Sequence, residues 1–262
     1  MGTFCRTCSR ILPNSFVIGM ASALYACDAF FVYPNVLMNS SRGFLFTLNM
    51  ILTTSLFAMW LWCWLTAAVG DPGRTEDDLA DRGYLNRIKN GDIPNCIRHL
   101  PLCPICSLPQ PKHSGHCKTC GHCILRIDHH CGVTGQCVAD KNLKGFILSF
   151  FYSALYAISM APIGAYEFFV VQKMEILPLL LMIYGPAFFV LMSIFGVTFL
   201  MQAMEELSTA DKIGARPQKI ALKKFLKSFG STFTEKIIPY QRHTTKFAWI
   251  GVNWDEEDVI PL

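Results

Sequence analysis

The chain has 262 residues, of which 52% are hydrophobic and only 16% are charged. Soluble globular domains carry about a quarter charged residues, so this composition disfavours a soluble domain and favours residence in a membrane. The formal net charge of +4 is small, and no motif indicates nucleic-acid binding.

Four apolar stretches are long enough to cross a bilayer core of about 30 Å, which takes about 20 helical residues. They predict an α-helical multi-pass membrane protein with four transmembrane helices, near residues 15–36, 44–69, 146–171 and 176–203. A polar segment, 70–145, separates the second span from the third, and a polar tail follows the fourth.

Lysine and arginine are concentrated on one side of these spans. Two lie in the N-terminal segment, ten in the central segment and nine in the tail, against one in each short loop between paired spans. The positive-inside rule therefore places both termini and the central segment in the cytosol. The predicted domains are a cytosolic N-terminus, a transmembrane hairpin, a cytosolic loop, a second transmembrane hairpin and a cytosolic tail, over residues 1–14, 15–69, 70–145, 146–203 and 204–262.

The central segment contains a dense cluster of cysteine and histidine. Seven of the twelve cysteines lie between positions 103 and 137, together with five histidines. Disulfides are rare in the reducing cytosol, and the C-x-x-C pairs at 103/106, 117/120 and 120/123 are typical of zinc sites. Two four-coordinate sites would use six cysteines and two histidines and leave one cysteine over. The spacing alone does not say which.

Chemistry favours Cys131 as the spare cysteine, because Asp128, His129 and His130 directly precede it. A neighbouring imidazolium lowers the pKa of a thiol and makes it a nucleophile, and a carboxylate can orient the imidazole. A purely structural zinc module, with Asp128 and His129 as surface residues, stays open at this point.

The tetrapeptide Asp128-His129-His130-Cys131 resembles the signature of the DHHC family of protein S-acyltransferases, or palmitoyltransferases. The spacing of cysteine and histidine across a Cys-rich domain at about 101–146 resembles that of the family, as does Asp71-Pro72-Gly73 after the second span. The likeness covers about residues 12–211. Four spans with this domain between helices 2 and 3 is the family architecture.

The resemblance implies two structural zinc ions. One would be held by Cys103, Cys106, His116 and Cys123, and the other by Cys117, Cys120, His130 and Cys137. Cys131 would be the acylated nucleophile, His129 its general base and Asp128 the residue that orients His129.

The resemblance also implies the substrates. The acyl donor would be an acyl-CoA such as palmitoyl-CoA, and the acceptors would be cytosolic cysteines of membrane-associated proteins, in a Golgi or endoplasmic reticulum bilayer. Arg126, Lys141 and Lys144 flank the signature and are candidate contacts for the CoA phosphates.

Some positions depart from the family pattern. Gly132 and Val133 stand where the family has Pro-Trp, and Gln136 stands where it has Asn. The Gly132-Val133 departure bears on acyl-chain preference and rate, and it motivates an alternative: a catalytically weak or inactive zinc-structured membrane adaptor of the same fold. The intact Asp128, His129 and Cys131 argue against it. A zinc-finger membrane protein of another class, such as a ubiquitin ligase, would need a different Cys/His order and no spare cysteine.

The tail carries one further pattern. Apolar residues recur at helical spacing among lysines over residues 219–229, which predicts a short basic amphipathic helix. This helix would lie on anionic lipid or pack its apolar side on the zinc domain or on the bases of the spans, and the family resemblance favours packing.

Overall fold

The computed structural model describes residues 3–27, 29, 43–170, 176–204, 232–239, 249, 252 and 254. Two short β-hairpins lie between long helices. The helices are α1 (Thr3–Cys27), α2 (Gly43–Val69), α3 (Thr75–Asp81), α4 (Leu85–Lys89), α5 (Asn95–Arg98), α6 (Leu143–Phe169), α7 (Ile176–Met204) and α8 (Phe233–Ile237). The strands are β1 (Gly115–Cys117), β2 (His122–Ile124), β3 (His129–Cys131) and β4 (Gln136–Val138).

Three of the described helices, α2, α6 and α7, are long and apolar enough to cross a membrane. Their bounds lie within three residues of the second, third and fourth predicted spans. Helix α1 begins at Thr3, well before the predicted start at 15, and its apolar part is the shorter stretch Asn14–Ala26. The rest of the first predicted span lies outside the described residues apart from residue 29, so the count of four spans stays a prediction. The predicted domain boundaries also stay predictions.

The long helices pack side by side in antiparallel order. Tyr25 of α1 stacks on Phe57 of α2, with ring centroids 4.6 Å apart. Asn49 of α2 donates a hydrogen bond to the Ser159 carbonyl of α6 over 3.2 Å. Between α6 and α7 the backbones approach so closely that a Cβ on Gly185 would stand 2.7 Å from the Ala157 carbonyl oxygen. Small residues at such contacts are typical of helix packing in membranes.

The segment after α2 connects that helix to both hairpins. The Asp71 carboxylate accepts from the Gly73 amide over 3.0 Å and pairs with the Lys141 ammonium over 2.9 Å. Gly73 has a φ of 99°, which favours glycine, and its carbonyl accepts from the Leu125 amide. The turn at Asp71–Gly73 thus holds the end of α2 against the Cys-rich segment.

Two parts of the tail dock at this same end of the helices. Thr66, Lys144 and Tyr152 donate side-chain hydrogen bonds to three backbone carbonyls in and after α8, those of Pro239, Glu235 and Ile237. Farther along, Trp249 is buried in an apolar cluster with Leu79, Ile97 and Leu125. The predicted amphipathic helix at 219–229 lies outside the described residues.

Candidate active site and metal clusters

The first hairpin brings together one Cys/His cluster. Strand β1 pairs with β2 so that His116 lies opposite Cys123. The C-x-x-C turn at Cys103 and Cys106 lies beside this pair, and the Cys106 sulfur is 3.2 Å from His116 Nδ1. The ligand atoms of all four residues lie within 4.8 Å of one another.

The second hairpin forms an equivalent cluster. Strand β3 pairs with β4 so that His130 lies opposite Cys137. Cys117 at the end of β1 and Cys120 in the turn that follows it have sulfurs 3.6 and 3.4 Å from His130 Nδ1. These four ligand atoms also lie within 4.8 Å of one another.

The donor sets fit zinc. Each cluster offers three thiolates and one imidazole, and a tetrahedral ion with Zn–S distances of about 2.3 Å places ligand atoms roughly 3.5–4 Å apart. The Cys120 and Cys137 sulfurs are 3.5 Å apart. A hydrogen bond from the Cys137 thiol outweighs burial and lowers the pKa of Cys120 to about 4, so that this sulfur is a thiolate. The structure therefore contains two clusters able to bind metal ions, and their members are the residues that the resemblance implied.

Strand geometry explains how neighbouring residues separate into different roles. Successive side chains of a β-strand point to opposite faces, so residues two apart share a face. His116 and Cys117 are adjacent in β1 and lie in different clusters. In β3, His130 lies in the second cluster, so His129 and Cys131 share the opposite face. Cys131 is outside both clusters because of this alternation.

The face of β3 opposite the second cluster holds three hydrogen-bonded side chains, those of Asp128, His129 and Cys131. His129 Nδ1 lies 2.8 Å from the Asp128 carboxylate, and the His129 side chain is also hydrogen-bonded to the Cys131 thiol. Since Nδ1–H donates to the carboxylate, Nε2 is the nitrogen available to the sulfur.

The charges in this arrangement favour an ion pair. Burial favours the neutral imidazole, but the hydrogen bonds with Asp128 and Cys131 outweigh it and raise the pKa of His129 to about 9. Burial likewise disfavours the thiolate, but the hydrogen bonds from His129 and from the Thr134 and Val133 amides outweigh it and lower the pKa of Cys131 to about 7. A thiolate beside an imidazolium is the form of cysteine that acts as a nucleophile.

Aromatic rings contact the imidazole on the side of the long apolar helices. His129 stacks on Phe199 of α7 with centroids 5.9 Å apart, and meets Phe146 of α6 edge-on at 5.5 Å. Phe150 continues this set of rings along α6, 5.1 Å from Phe146. Cys131 packs against the same apolar cluster, which joins the ends of α2, α6 and α7. The sulfur therefore lies where the polar Cys-rich segment meets the apolar helices.

Two buried amides attach this hairpin to α2. The Gln136 amide donates to the Ala67 and Gly70 carbonyls over 2.7 and 2.9 Å, and the Asn142 amide donates to Ala67 and Cys137. They satisfy carbonyls at the end of α2 that have no partner within the helix. In the sequence, Gln136 stands out only as a departure from the family pattern. The sequence carries no signal for this role, because the burial of an amide side chain is not visible in it.

Each predicted phosphate contact has a partner within the protein. Arg126 donates to the Ala203 carbonyl over 3.3 Å and lies 3.6 Å from Asp140. Lys141 pairs with Asp71. Lys144 is only 7% exposed, and its ammonium donates to the Glu235 carbonyl. These contacts give the three cations structural roles that the sequence did not indicate, and their contact with CoA stays a prediction.

Comparison with known proteins adds a family assignment for this region. Residues 98–209 match the family model described as DHHC palmitoyltransferase. The chain is 32% identical over 160 residues to probable protein S-acyltransferase 13 of Arabidopsis thaliana, covering 56% of this chain and 53% of that protein. It is 31% identical over 145 residues to palmitoyltransferase ZDHHC7 of Rattus norvegicus, covering 54% of this chain and 45% of that protein.

A third relative matches a shorter segment. The chain is 37% identical over 92 residues to palmitoyltransferase ZDHHC23-A of Danio rerio, covering 31% of this chain and 23% of that protein. The chain thus spans about half, or less, of the length of these relatives. The resemblance to the DHHC family seen in the sequence is confirmed.

Proposed function

We propose that this chain is a protein S-acyltransferase that carries the acyl group on Cys131, because residues 98–209 match the family model described as DHHC palmitoyltransferase. The observation that carries the proposal is that strand β3 keeps Cys131 apart from the two Cys/His clusters. Eight Cys and His side chains form two clusters, and the remaining Cys131 lies beside a histidine that is bonded to a carboxylate. Two bound zinc ions would supply folding energy to these loops and would keep their ligand sulfurs out of the reaction.

The first step forms an acyl-enzyme. The Cys131 thiolate attacks the carbonyl carbon of an acyl-CoA thioester, such as palmitoyl-CoA, and the bond to the CoA sulfur breaks. The departing CoA thiolate takes the proton from Nε2 of the His129 imidazolium. Asp128 keeps the imidazole in the orientation and tautomer that this transfer needs.

The second step moves the acyl group to a protein cysteine. The acceptor thiol gives its proton to Nε2 of His129 and attacks the acyl carbon, and Cys131 leaves as a thiolate. One thioester is exchanged for another, so the transfer is close to energy-neutral. The choice of acceptor then depends on which cysteines reach the sulfur.

The apolar surroundings of Cys131 indicate where the acyl chain would lie. Rings of Phe146, Phe150 and Phe199 extend from His129 along α6 and α7. Burial of the chain beside such surfaces is worth about 0.8 kcal/mol per CH₂ group. We propose that the Cys-rich domain and both termini face the cytosol, that CoA stays on that side, and that the protein resides in a Golgi or endoplasmic reticulum membrane. The acceptors would be cytosolic cysteines of membrane-associated proteins.

Cations would bind the CoA phosphates, and Arg126, Lys141 and Lys144 remain our candidates. Arg126 and Lys141 are partly exposed and are paired with carboxylates that a phosphate could replace. Lys144 would have to leave its carbonyl partner in the tail and is the least favourable of the three.

The test is acyl-enzyme formation by the purified chain in detergent or vesicles. A clickable palmitoyl-CoA should label the parent protein through a bond that hydroxylamine cleaves, and Cys131→Ala should abolish this label. Cys96→Ala is the matched control, because Cys96 is a buried cysteine outside both metal clusters. A folded, metal-loaded parent that takes up no label would favour the adaptor instead. A label that survives Cys131→Ala would reject the nucleophile.

A further inference from the structure

Asn14 of helix α1 reaches the loop that follows Cys131. The Asn14 amide donates a hydrogen bond to the Thr134 carbonyl over 2.9 Å, and its oxygen accepts from the Trp64 indole of α2 over 3.0 Å. An indole N–H can only donate, so it fixes Oδ1 of Asn14 toward Trp64 and the NH₂ group toward Thr134. The bridge therefore has a defined direction, from α2 through α1 to the loop that follows Cys131.

The loop held by this bridge wraps around the nucleophile. Residues 132–135 form a tight turn, closed by a hydrogen bond of 2.8 Å from the Gly135 amide to the Cys131 carbonyl. The Thr134 hydroxyl also donates to the Cys131 carbonyl, over 3.4 Å. The orientation of the Thr134 backbone therefore helps to determine where the sulfur points.

The turn has little internal support at its start. No heavy atom lies within 4 Å of the place where a Cβ on Gly132 would stand, and Val133 is 53% exposed. Thr134, in contrast, is fully buried, at 0% exposure. A glycine-containing turn has more backbone freedom than one built from larger residues. Contacts from outside the turn, at Thr134 and Gln136, supply the restraint.

We propose that Asn14 is a positioning residue for Cys131, which it holds through the Thr134 carbonyl in the geometry required for acyl transfer. Trp64 acts indirectly, by orienting the Asn14 amide. The consequence for acyl transfer rests on the proposed function, whereas the positioning of the sulfur does not.

Three substitutions test the bridge. Asn14→Leu keeps the size of the side chain and removes both hydrogen bonds. Asn14→Asp keeps an acceptor for Trp64 but has no donor for the Thr134 carbonyl. Trp64→Phe keeps a ring and removes the indole donor. Trp62→Phe is the matched control, because Trp62 lies on the same helix and is 47% exposed.

The first measurement is the rate at which iodoacetamide alkylates Cys131 in the full-length, metal-loaded protein, followed by peptide mass spectrometry. We expect Asn14→Leu and Asn14→Asp to change this rate by about 5-fold or more, Trp64→Phe by less, and Trp62→Phe not at all. The double variant Asn14→Leu with Trp64→Phe should match Asn14→Leu alone, because both changes break one bridge. Metal content should stay at the parental value.

The second measurement is the dependence of acyl-enzyme formation on palmitoyl-CoA concentration. Asn14→Leu should lower the maximal rate by about 10-fold and leave the half-saturating concentration unchanged, since a misplaced nucleophile affects the chemical step rather than donor binding. A loss of folded protein would lower the amplitude of labelling and not the rate per labelled molecule.

The two measurements separate the two proposals. If the parent forms no acyl-enzyme but the Asn14 variants alter alkylation of Cys131, the positioning inference stands and the proposed function fails. The positioning inference is overturned if Asn14→Leu leaves both rates within twofold of the parent, or if Trp62→Phe has the same effect as Asn14→Leu.

Discussion

The imidazole of His129 lies between a carboxylate and a thiol, and both neighbours affect its proton. Its raised pKa, about 9, keeps the imidazolium present below that pH. The lowered pKa of Cys131, about 7, makes the thiolate present above that pH. The nucleophile and its acid therefore coexist in a window between the two values.

We predict a bell-shaped pH profile for acyl-enzyme formation. The rate should rise through about pH 7 as the thiolate forms and fall above about pH 9 as the imidazolium loses its proton. Single-turnover labelling with palmitoyl-CoA, measured across this range, gives both limbs.

The matched variant for this profile is Asp128→Asn. Loss of the carboxylate should lower the pKa of His129, move the descending limb to lower pH and reduce the maximal rate by about 10²-fold. An Asp128→Asn profile that superimposes on the parental one would contradict the role of Asp128.

The sequence predicted which residues form the site better than it predicted the contacts between them. The signature and the Cys/His spacing, through the family resemblance, indicated Asp128, His129, Cys131 and eight candidate ligands. The three-dimensional separation of Cys131 from His130 required the alternation of β3, and two three-residue strands leave no periodic pattern to detect. The buried position of Lys144 was also missed, because a lysine beside the signature gives no sign that a tail carbonyl will cover it.

Among the elements, α6 and α7 depend on close backbone contact. A Cβ on Gly185 would stand 2.7 Å from the Ala157 carbonyl oxygen and 3.2 Å from Ala161 Cβ. Because the closer atom belongs to the backbone, the two helices would have to move apart to relieve this clash. The two helices carry Phe146 and Phe199, which contact His129, so their separation also bears on the site.

We therefore predict that Gly185→Ala destabilises the folded protein by about 1–3 kcal/mol. Thermal unfolding of the purified protein in detergent should show a lower midpoint. Gly19→Ala in α1 is the control, since no atom lies within 4 Å of its Cβ position. Equal midpoints for Gly185→Ala and the parent would refute the close contact.

The docked tail is a second feature at the level of elements. The Trp249 indole donates to the Asp78 carboxylate over 2.7 Å, and Arg82 donates to the same carboxylate over 2.8 Å. Arg82 also lies 4.4 Å from the Trp254 ring centre, in a cation–π contact. The tail thus completes the apolar cluster that packs beside the first metal cluster, where Leu108 and Cys106 are also members.

Replacing Trp249 by Phe should release this part of the tail. The variant keeps an aromatic ring but leaves a buried carboxylate oxygen without its indole donor, at a cost of about 1–3 kcal/mol. Hydrogen exchange at residues 75–81 should become faster. Trp254→Phe, which keeps a ring over Arg82, should change it less. If residues 75–81 exchanged hydrogen in Trp249→Phe as slowly as in the parent, this result would contradict the docking of the tail.

Periodicity and length predicted the long elements well. The bounds of α2, α6 and α7 follow from uninterrupted apolar runs, since a helix is the structure that satisfies its own backbone in lipid. The early start of α1 and the docking of Trp249 were not predicted. The first lies in a polar stretch with no helical pattern, and the second joins positions that are 171 residues apart in sequence.

For the molecule as a whole, two Cys/His clusters able to bind metal ions join the turns and hairpins of the Cys-rich segment. Its strands have only three residues each, and hairpins this short are unstable without packing or metal. Cys137, Val138 and Asn142 in turn bring the second cluster against the end of α2.

We predict two zinc ions per chain and loss of structure on their removal. A strong chelator should release both ions, expose the ligand thiols and abolish acyl-enzyme formation. Cys106→Ser should lose one zinc, while Cys96→Ser, a cysteine outside the clusters, should keep both. Elemental analysis measures the stoichiometry, and a parental value of zero would refute the metal assignment.

The alternation along β3 has a consequence for any change in chain length nearby. A strand that slips by one residue turns every side chain to the other face. If β4 kept its place, deleting a single residue just before Asp128 would put Cys131 in the place of His130, beside Cys117, Cys120 and Cys137, with Gly132 where the Cys131 sulfur had been. Such a chain would keep eight candidate metal ligands and lack a sulfur on the opposite face of β3. Intact folding and full metal loading are therefore compatible with an inert protein. The register of β3 alone would distinguish such a protein from an active one.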